Sequence, residues 1–358
     1  MGKLDWYIIK KFLGTFFFSI SLILIIVVVF DISEKVDDFF ESEAPFRAIL
    51  FDYYLNFIPY FGNLFSPLFT FIAVIFFTSK MAGNSEIISI LTSGVSFNRF
   101  LRPFLLSAVL LCVLSFVLGN FIIPASNQLR LDFEYEYLKS PYKNRDKDIH
   151  MQIEPGTFIY IESYNIQKNI GYKFSIENFE KNELKKKLYS SYIEWDEQKE
   201  KWTIYNYIER EINGLYEEIN KGEQKDTVLN LRPKDFNFRL SMVETMNYYE
   251  LNSFIDKEKM KGSKNLVFHL IEKHKRIAFP FATIILTLVA VAMASRKVKG
   301  GIGLHLGIGL LISFSYILFM QISTTFATNG DLSPIVAVWI PNLMFSLLAV
   351  YLLRKAPK

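Results

Sequence analysis

Long runs of uncharged, mostly apolar residues dominate both ends of the chain. Six runs contain no Asp, Glu, Lys or Arg: residues 12–30, 53–78, 104–129, 277–295, 300–330 and 332–353. Each run can supply the roughly 20 apolar residues that an α-helix needs to cross a hydrocarbon layer about 30 Å thick. The pattern therefore predicts six membrane-spanning helices, three in residues 1–123 and three in residues 263–358.

The middle of the chain, residues 124–262, has a different pattern, because apolar and polar residues alternate there over short stretches. The alternating stretches are residues 157–163, 170–178, 188–195, 202–211, 215–219 and 227–231. Turn residues such as Pro155, Gly156 and Gly214 separate them. Alternation without intervening helices predicts an antiparallel sandwich or open barrel over about residues 148–241. Amphipathic stems over residues 124–139 and 245–261 connect this β-unit to the spans.

Charge is distributed unevenly among the polar segments. One set, residues 1–11, 79–103, 295–301 and 353–358, holds 12 basic and 2 acidic residues. The alternate set, residues 31–52 and 327–333, holds 2 basic and 8 acidic residues. Lys and Arg in short loops stay on the cytoplasmic side of a membrane. Both termini are therefore predicted to be cytoplasmic, and the insert is predicted to lie on the opposite side of the membrane.

Composition and motifs exclude several classes of function. With 51% hydrophobic and 21% charged residues in such long runs, the chain is neither a soluble enzyme nor a disordered protein. It has no G-x-x-x-x-G-K-[ST] loop, so it is not expected to bind nucleotide phosphates itself. Its four histidines are scattered and predict no metal site. The charge-free spans, with His305 as their ionisable residue, disfavour proton-driven transport.

A short polar segment between the second and third spans has the spacing of an amphipathic helix. Its isoleucines and leucine recur at helical intervals, cap-forming residues precede them, an acid falls in the first turn, and a glycine can end the helix. The candidate site residues are Asn84, Ser85, Glu86, Ile87, Ile90, Leu91 and Gly94, with Asn84 or Ser85 as the cap. Such a helix suits docking into a groove on a cytoplasmic partner, or alternatively lying on the lipid surface.

Three glycines in the fifth span form a second candidate feature. Gly303 and Gly307 have the G-x-x-x-G spacing that lets two helices approach closely, and Gly309 follows. The spacing fits two interpretations equally well. The glycines could allow tight packing within this chain, or they could form a face against a partner subunit or belong to a span that moves.

Several motifs occur in order along nearly the whole chain. They are Leu4-Asp5-x-Tyr7-Ile8, Asn84-Ser85-Glu86 through Ser93-Gly94, His274-x-Arg276-x-x-x-Pro280, Arg296 with Gly300-Gly301-x-Gly303, and Trp339-x-Pro341-Asn342. With three spans on each side of a β-insert, the chain resembles the LptF/LptG permeases. These proteins export lipopolysaccharide from the inner membrane of Gram-negative bacteria. The first motif is more similar to LptG than to LptF.

The resemblance implies a transport subunit of an ABC transporter and not an enzyme. In that family two related permeases pair, and a separate cytoplasmic ATPase dimer, LptB, binds ATP and Mg²⁺, so no cofactor is expected in this chain. The helix near residues 84–93 corresponds to the family's coupling helix. The insert corresponds to a periplasmic β-jellyroll that passes lipopolysaccharide to the β-jellyroll of LptC.

The resemblance also directs attention to lipid contacts. LptG-type members use lysines near the outer end of the first span to hold lipopolysaccharide phosphates, and here Lys35 is the candidate in a mostly acidic stretch. A bridging divalent cation or the partner permease could supply the missing positive charge. Phe158, Tyr160, Tyr172 and Phe174 alternate along two strands and could face a lipid groove, although a plain β-core explains them equally well.

Two functions outside this family remain as alternatives. One is a membrane-anchored periplasmic binding scaffold, and the other is a secondary transporter of a small solute. Six spans exceed what an anchor requires, and the charge-free spans count against the transporter. Nothing in the sequence predicts a nucleic-acid partner.

Overall fold

The computed structural model describes residues 2–138, 147–236, 240–263, 265–296, 301–330 and 332–356. Gly300 of the fourth sequence motif and Lys139, the last residue of the first predicted stem, lie outside these ranges. The chain divides into two compact units. The helical unit comprises Met1–Leu138, Glu244–Leu251 and Val267–Lys358, and the sheet unit comprises Lys139–Val243 and Asn252–Leu266.

Within the described ranges, six helices are long and apolar enough to cross a membrane. In chain order with the two shorter helices, they are α1 (Lys3–Glu41), α2 (Phe46–Gly83), α3 (Glu86–Thr92), α4 (Phe97–Leu138), α5 (Tyr248–Lys261), α6 (Leu266–Ala294), α7 (Gly301–Thr328) and α8 (Pro334–Lys355). The shorter ones are α3 and α5. The predicted arrangement of three spans on each side of the insert is confirmed.

The helical unit buries one stripe of each long helix and leaves the opposite stripe apolar. Ile8, Phe12 and Phe16 recur every four residues on α1 and are at most 3% exposed. By contrast Phe18 and Phe30 of the same helix are 67% and 72% exposed. A long helix that is apolar on its outward face as well is typical of a membrane span, because lipid and not water surrounds it.

Turns of π-helix interrupt two of the spans. One lies at Ile49–Tyr54 near the start of α2, and two lie in α4 at Leu118–Ile122 and Glu134–Leu138. A π-turn holds more residues than an α-turn and often marks a functional position. The helical stem predicted after the third span is the continuation of α4, and the second predicted stem is α5, which ends before Gly262 with its φ of +68°.

The sheet unit contains a six-stranded antiparallel sheet, as the alternation predicted. Its strands are β1 (Lys147–Glu154), β2 (Thr157–Asn165), β3 (Ile170–Glu180), β4 (Glu183–Asp196), β5 (Lys201–Asn213) and β6 (Tyr216–Thr227). They pair in chain order as a simple meander. One face packs a core around Ile161, Phe174 and Trp202, none of which is exposed.

Two details of the strand prediction were wrong. The strand β1 has no counterpart in the prediction, although Ile149, Met151 and Ile153 alternate with polar residues along it. The stretch 227–231 is not a strand beyond Thr227. Instead its last residue, Leu231, is 1% exposed, and its carbonyl oxygen accepts a hydrogen bond from the indole Nε1 of Trp202 at 2.8 Å. Leu231 is therefore a core residue outside the sheet, and Leu229 packs partly against the same core, whereas Val228 is 74% exposed.

Candidate functional site

The short helix α3 forms between the second and third spans where the sequence predicts a docking helix. Gly94 follows it with a φ of +90°, a conformation that glycine adopts at low cost, and its N–H donates to the carbonyl of Leu91 at 3.1 Å. The predicted side-chain cap is absent. Ser85 occupies the cap position with a φ of +61° and makes no capping hydrogen bond. The Asn84 amide instead donates to Glu86 Oε1 at 3.0 Å, which orients that carboxylate.

The apolar face of α3 packs against its own unit. Ile87 is 1% exposed, and Ile90 and Leu91 are partly buried against the same core. The outward face carries Ile88, which is 53% exposed, together with exposed Ser89. Ile88 is not among the candidate site residues from the sequence, because four apolar residues occur in a five-residue stretch and their spacing does not show which of them faces inward.

An ion pair connects the start of α1 to the start of α4, beside α3 in the chain. Arg99 donates from Nη1 and Nη2 to the two carboxylate oxygens of Asp5, at 2.6 and 2.7 Å. The N–H of Gly2 donates to the same carboxylate at 2.8 Å. Asp5 is 4% exposed, so its charge is almost fully enclosed by these donors. A bidentate pair of this kind fixes orientation as well as distance, and it explains the acid in the first sequence motif.

Lys35 lies at the other end of α1, and an internal network balances its charge. Its ammonium group donates to Asp31 Oδ1 at 2.8 Å and to the Tyr53 hydroxyl. The Tyr54 hydroxyl donates to Asp31 Oδ2 at 3.1 Å. Aromatic rings, including Phe39, pack around this group. Lys35 therefore supports the junction of α1 and α2, and Asp31 balances its charge.

The three glycines of the fifth span have different surroundings. A Cβ atom added at Gly303 or Gly307 would meet no atom within 4 Å. A Cβ atom added at Gly309 would overlap with Ile75 Cδ1 and lie 3.1 Å from Phe71 Cε1. The close approach within this chain therefore occurs at Gly309, where α7 crosses α2. The G-x-x-x-G pair itself faces open space.

The four aromatic candidates of the sheet divide into two groups. Phe174 is fully buried in the sheet core, so it is unavailable to a ligand without unfolding. Phe158 and Tyr172 are each 41% exposed. The Tyr160 hydroxyl donates to Asp148 Oδ1 at 2.7 Å, and this hydrogen bond raises the pKa of Tyr160 to about 12.

A cavity of about 270 Å³ lies on the exposed side of the sheet. Its lining includes His150, Phe158 and Tyr160. Lys187 and Glu177, which also line it, pair with each other at 2.7 Å. The cavity therefore offers aromatic surface and a neutral ion pair.

His305 of the fifth span is close to a backbone carbonyl of its own chain. His305 is 5% exposed, and its Nε2 lies 3.1 Å from the Arg296 carbonyl oxygen. In the part of the chain that the structure describes, no three His, Cys, Asp or Glu side chains are grouped so that they could hold a metal ion. The geometry thus presents a short helix between the second and third spans, apolar outer faces on the spans and an accessible sheet.

Comparison with known proteins agrees with this arrangement. The family described as "Lipopolysaccharide export system permease LptF/LptG" matches residues 6–355, which include all six spans, α3 and the sheet. A search of curated proteins found no match. The family carries no nucleotide-binding domain of its own. The chain therefore belongs to the LptF/LptG family of lipopolysaccharide export permeases and is a multi-pass transport subunit of an ABC system.

Proposed function

We propose that this permease pairs with a related permease and a separate cytoplasmic ATPase dimer of the LptB type to extract lipopolysaccharide from the inner membrane. The observation that carries the proposal is α3, a helix whose apolar face is anchored in its own unit and whose opposite face is exposed. Such a helix transmits a push from a docked partner to the spans. The set of four short polar segments to which it belongs holds 12 basic and 2 acidic residues, and this excess supports a cytoplasmic position.

The docking surface in this proposal consists of Asn84, Ser85, Glu86 and Ile88. Glu86 would accept a hydrogen bond or ion pair from the ATPase, in the orientation that Asn84 gives it. Ile88 would enter an apolar groove, because it is half exposed while its neighbour Ile87 is buried. Ile87, Ile90 and Leu91 would carry the resulting force into the spans. The Asp5–Arg99 pair would extend it to α1.

The lipid would leave through the sheet unit, which we place in the periplasm together with residues 124–262 as a whole. The outer strand β6 is mostly exposed and, among the described strands, pairs on one side with β5. A free strand edge suits addition of a strand from an LptC-like β-jellyroll.

The exposed Phe158 and Tyr172 supply apolar surface for acyl chains. Because Lys35 is paired internally, we assign the positive charge for the lipid phosphates to the partner permease.

The motif around Asp5 supports an LptG-like position for this chain within the pair. In this position LptF is the partner. The assignment is testable by expressing the chain together with either kind of permease and measuring which pair is recovered as a stable complex. Recovery with an LptG-type partner in place of an LptF-type one would overturn it.

The charge reversal Glu86→Arg tests the docking proposal. The variant is expected to insert normally into the membrane and to lose the ATPase during purification, because a cation replaces the accepting carboxylate. Ile88→Asp should have the same effect, since it places a charge in the apolar contact while leaving the buried face intact. The control is Glu41→Arg, which makes the same charge change at an exposed acid. Glu41 is the last residue of α1 and lies far from α3 along the spans.

Native mass spectrometry of the complex isolated in mild detergent tests the assembly as a whole. The expected mass is that of this chain, one related permease, two ATPase copies and lipopolysaccharide. Unchanged ATPase recovery with both Glu86→Arg and Ile88→Asp would refute the docking role of α3. A lone chain carrying phospholipid alone would favour a binding scaffold or a secondary transporter instead.

A further inference from the structure

A polar cavity lies within the helical unit, in the half of α2 that is far from α3. It has a volume of about 120 Å³. A single water molecule needs roughly 10–15 Å³ by this measure, so the cavity has room for a small polar group. Its polar lining consists of Tyr60, Asn63, Ser115, Asn127, Glu244, Glu272, Lys275 and Arg276. These residues come from α2, α4, α6 and the segment before α5.

Part of this lining is already paired. Arg276 donates from Nε to Glu272 Oε1 at 2.9 Å and from Nη1 to the Met246 carbonyl at 2.6 Å. The Ser115 hydroxyl donates to Asn63 Oδ1 at 2.7 Å. These contacts neutralise one acid and one base. They also fix the walls of the cavity, since they join α2 to α4 and α6 to the segment before α5.

Three groups in the lining are left without such contacts. Asn127 is fully buried, yet neither atom of its amide has a hydrogen-bond partner among the described residues. Lys275 and Glu244 also make no hydrogen bond or ion pair with the described part of the chain. Burial and the nearby Glu272 carboxylate raise the pKa of Glu244. Buried polar groups are normally paired, so the Asn127 amide lacks a partner here. Glu244 and Lys275 are half-buried and attract each other without a direct contact.

An apolar cleft adjoins the polar cavity. Leu64 and Phe279 line both spaces. From these two residues the cleft continues between α2, α6 and α7, past Leu68, Leu286 and Ile317. The polar cavity is the charged end of this space, and the cleft, with a volume of about 20 Å³, is its narrow apolar end. A soluble zwitterion would fill the charged end alone, whereas a lipid matches both.

We propose that this space binds a lipid that carries a zwitterionic phosphoethanolamine group. The phosphate would accept from the Lys275 ammonium and from the Asn127 amide N–H, and the lipid ammonium would donate to the Glu244 carboxylate. An acyl chain would pass between Leu64 and Phe279 into the apolar cleft. Two sources share this chemistry: the membrane phospholipid phosphatidylethanolamine, and a lipopolysaccharide decorated with the same group.

Lipid titrations of the full-length chain, followed by native mass spectrometry, test the proposal. The chain is first stripped of lipid and then mixed with phosphatidylethanolamine or phosphatidylglycerol of identical acyl chains. Phosphatidylethanolamine is expected to bind about tenfold more tightly or better, because a hydrogen bond between charged groups is lost with the glycerol headgroup. Competition with lipopolysaccharide that carries or lacks phosphoethanolamine then distinguishes the two sources.

Three variants separate the named contacts. Glu244→Gln should abolish the preference between the two phospholipids, since it removes the acceptor for the ammonium. Lys275→Gln should weaken both by about tenfold, because both contain the phosphate. Lys273→Gln, two positions earlier on α6 and outside the lining, is the control and should bind like the original chain.

Glu244→Gln is expected to bind phosphatidylglycerol as the original chain does. This retained binding shows that the variant is folded, so a lost preference for phosphatidylethanolamine is not a result of misfolding. Equal binding of the two phospholipids by the original chain would overturn the proposal. Unchanged binding by Glu244→Gln and Lys275→Gln would overturn it as well, and would leave the cavity to water alone.

Discussion

The contact between α7 and α2 at Gly309 predicts a sharp difference between neighbouring glycines. In Gly309→Ala the new methyl group overlaps with Ile75 Cδ1 and crowds Phe71, and both residues are 0% exposed. Neither side chain can move into free space, so the cost is that of overpacking a core, about 1–3 kcal/mol. Gly307→Ala is the matched control, because its methyl group meets no atom within 4 Å.

The helix propensity of alanine favours both variants by up to about 1 kcal/mol, so it cancels in the comparison. Gly309→Ala is therefore expected to be less stable than Gly307→Ala by about 1–3 kcal/mol. The assay is reversible unfolding of the purified chain in mixed ionic and nonionic detergent micelles, followed by tryptophan fluorescence. Both variants are measured under the same conditions, and the difference between their unfolding free energies is the quantity of interest.

A double variant identifies the responsible atom. Ile75→Val deletes the Cδ1 methyl group that the added Cβ would overlap, at a cost of about 0.5–1.5 kcal/mol by itself. The double variant Gly309→Ala with Ile75→Val should cost less than the sum of the two single changes. The methyl group added at position 309 fills the space that Ile75→Val vacates. Equal stability of Gly309→Ala and Gly307→Ala, or strict additivity in the double variant, would refute this account of the α2–α7 contact.

Three further predictions concern other contacts. Trp202→Phe removes the indole donor to the buried Leu231 carbonyl and should destabilise the sheet by about 1–3 kcal/mol, measured as a shift in the urea midpoint by pulse proteolysis. Asp5→Asn weakens the bidentate pair with Arg99 and should speed amide hydrogen exchange at the start of α1 and α4, an effect that Asp5→Glu should partly avoid. Burial opposes ionisation of Glu209, but hydrogen bonds from two lysines outweigh it and hold its pKa below the usual value. The stabilisation is therefore present above the unfolded-state pKa and lost as the pH falls through the folded-state pKa. Thermal unfolding between pH 7 and pH 3 should be less acid-dependent in Glu209→Gln.

The membrane spans and the sheet could be predicted because each depends on a local pattern. A long run of apolar residues without charge is stable as a helix in the membrane. A segment in which apolar and polar residues alternate forms a strand that buries its apolar face. The strand β6 was predicted less completely, because its alternation of apolar and polar residues is weak. In β6 exposed Glu, Lys and Gln residues outnumber apolar ones, so the predicted stretch covered less than half of the strand.

The candidate site depended on contacts between residues that are distant in the sequence. Spacing placed a helix at α3, but the choice between Ile87 and Ile88 as its outward residue was made by packing against the core. The sequence shows Lys35 as a lone cation in an acidic stretch, and it does not show that Asp31 and Tyr53, eighteen residues away, accept hydrogen bonds from it. The G-x-x-x-G spacing pointed to Gly303 and Gly307, while the close approach occurs at Gly309.

The π-turn at Leu118–Ile122 holds one more residue than an ordinary α-helical turn of α4. Successive residues of an α-helix are about 100° apart around its axis. Deleting one residue from the wide turn would let it rewind as ordinary helix with little rotation of the following segment, so Asn127 would stay in the wall of the polar cavity. A second deletion would rotate that segment by about 100° and turn Asn127 out of the wall, although no residue that lines the cavity had been replaced. The wide turn therefore lets this span lose one residue, but not two, without moving Asn127.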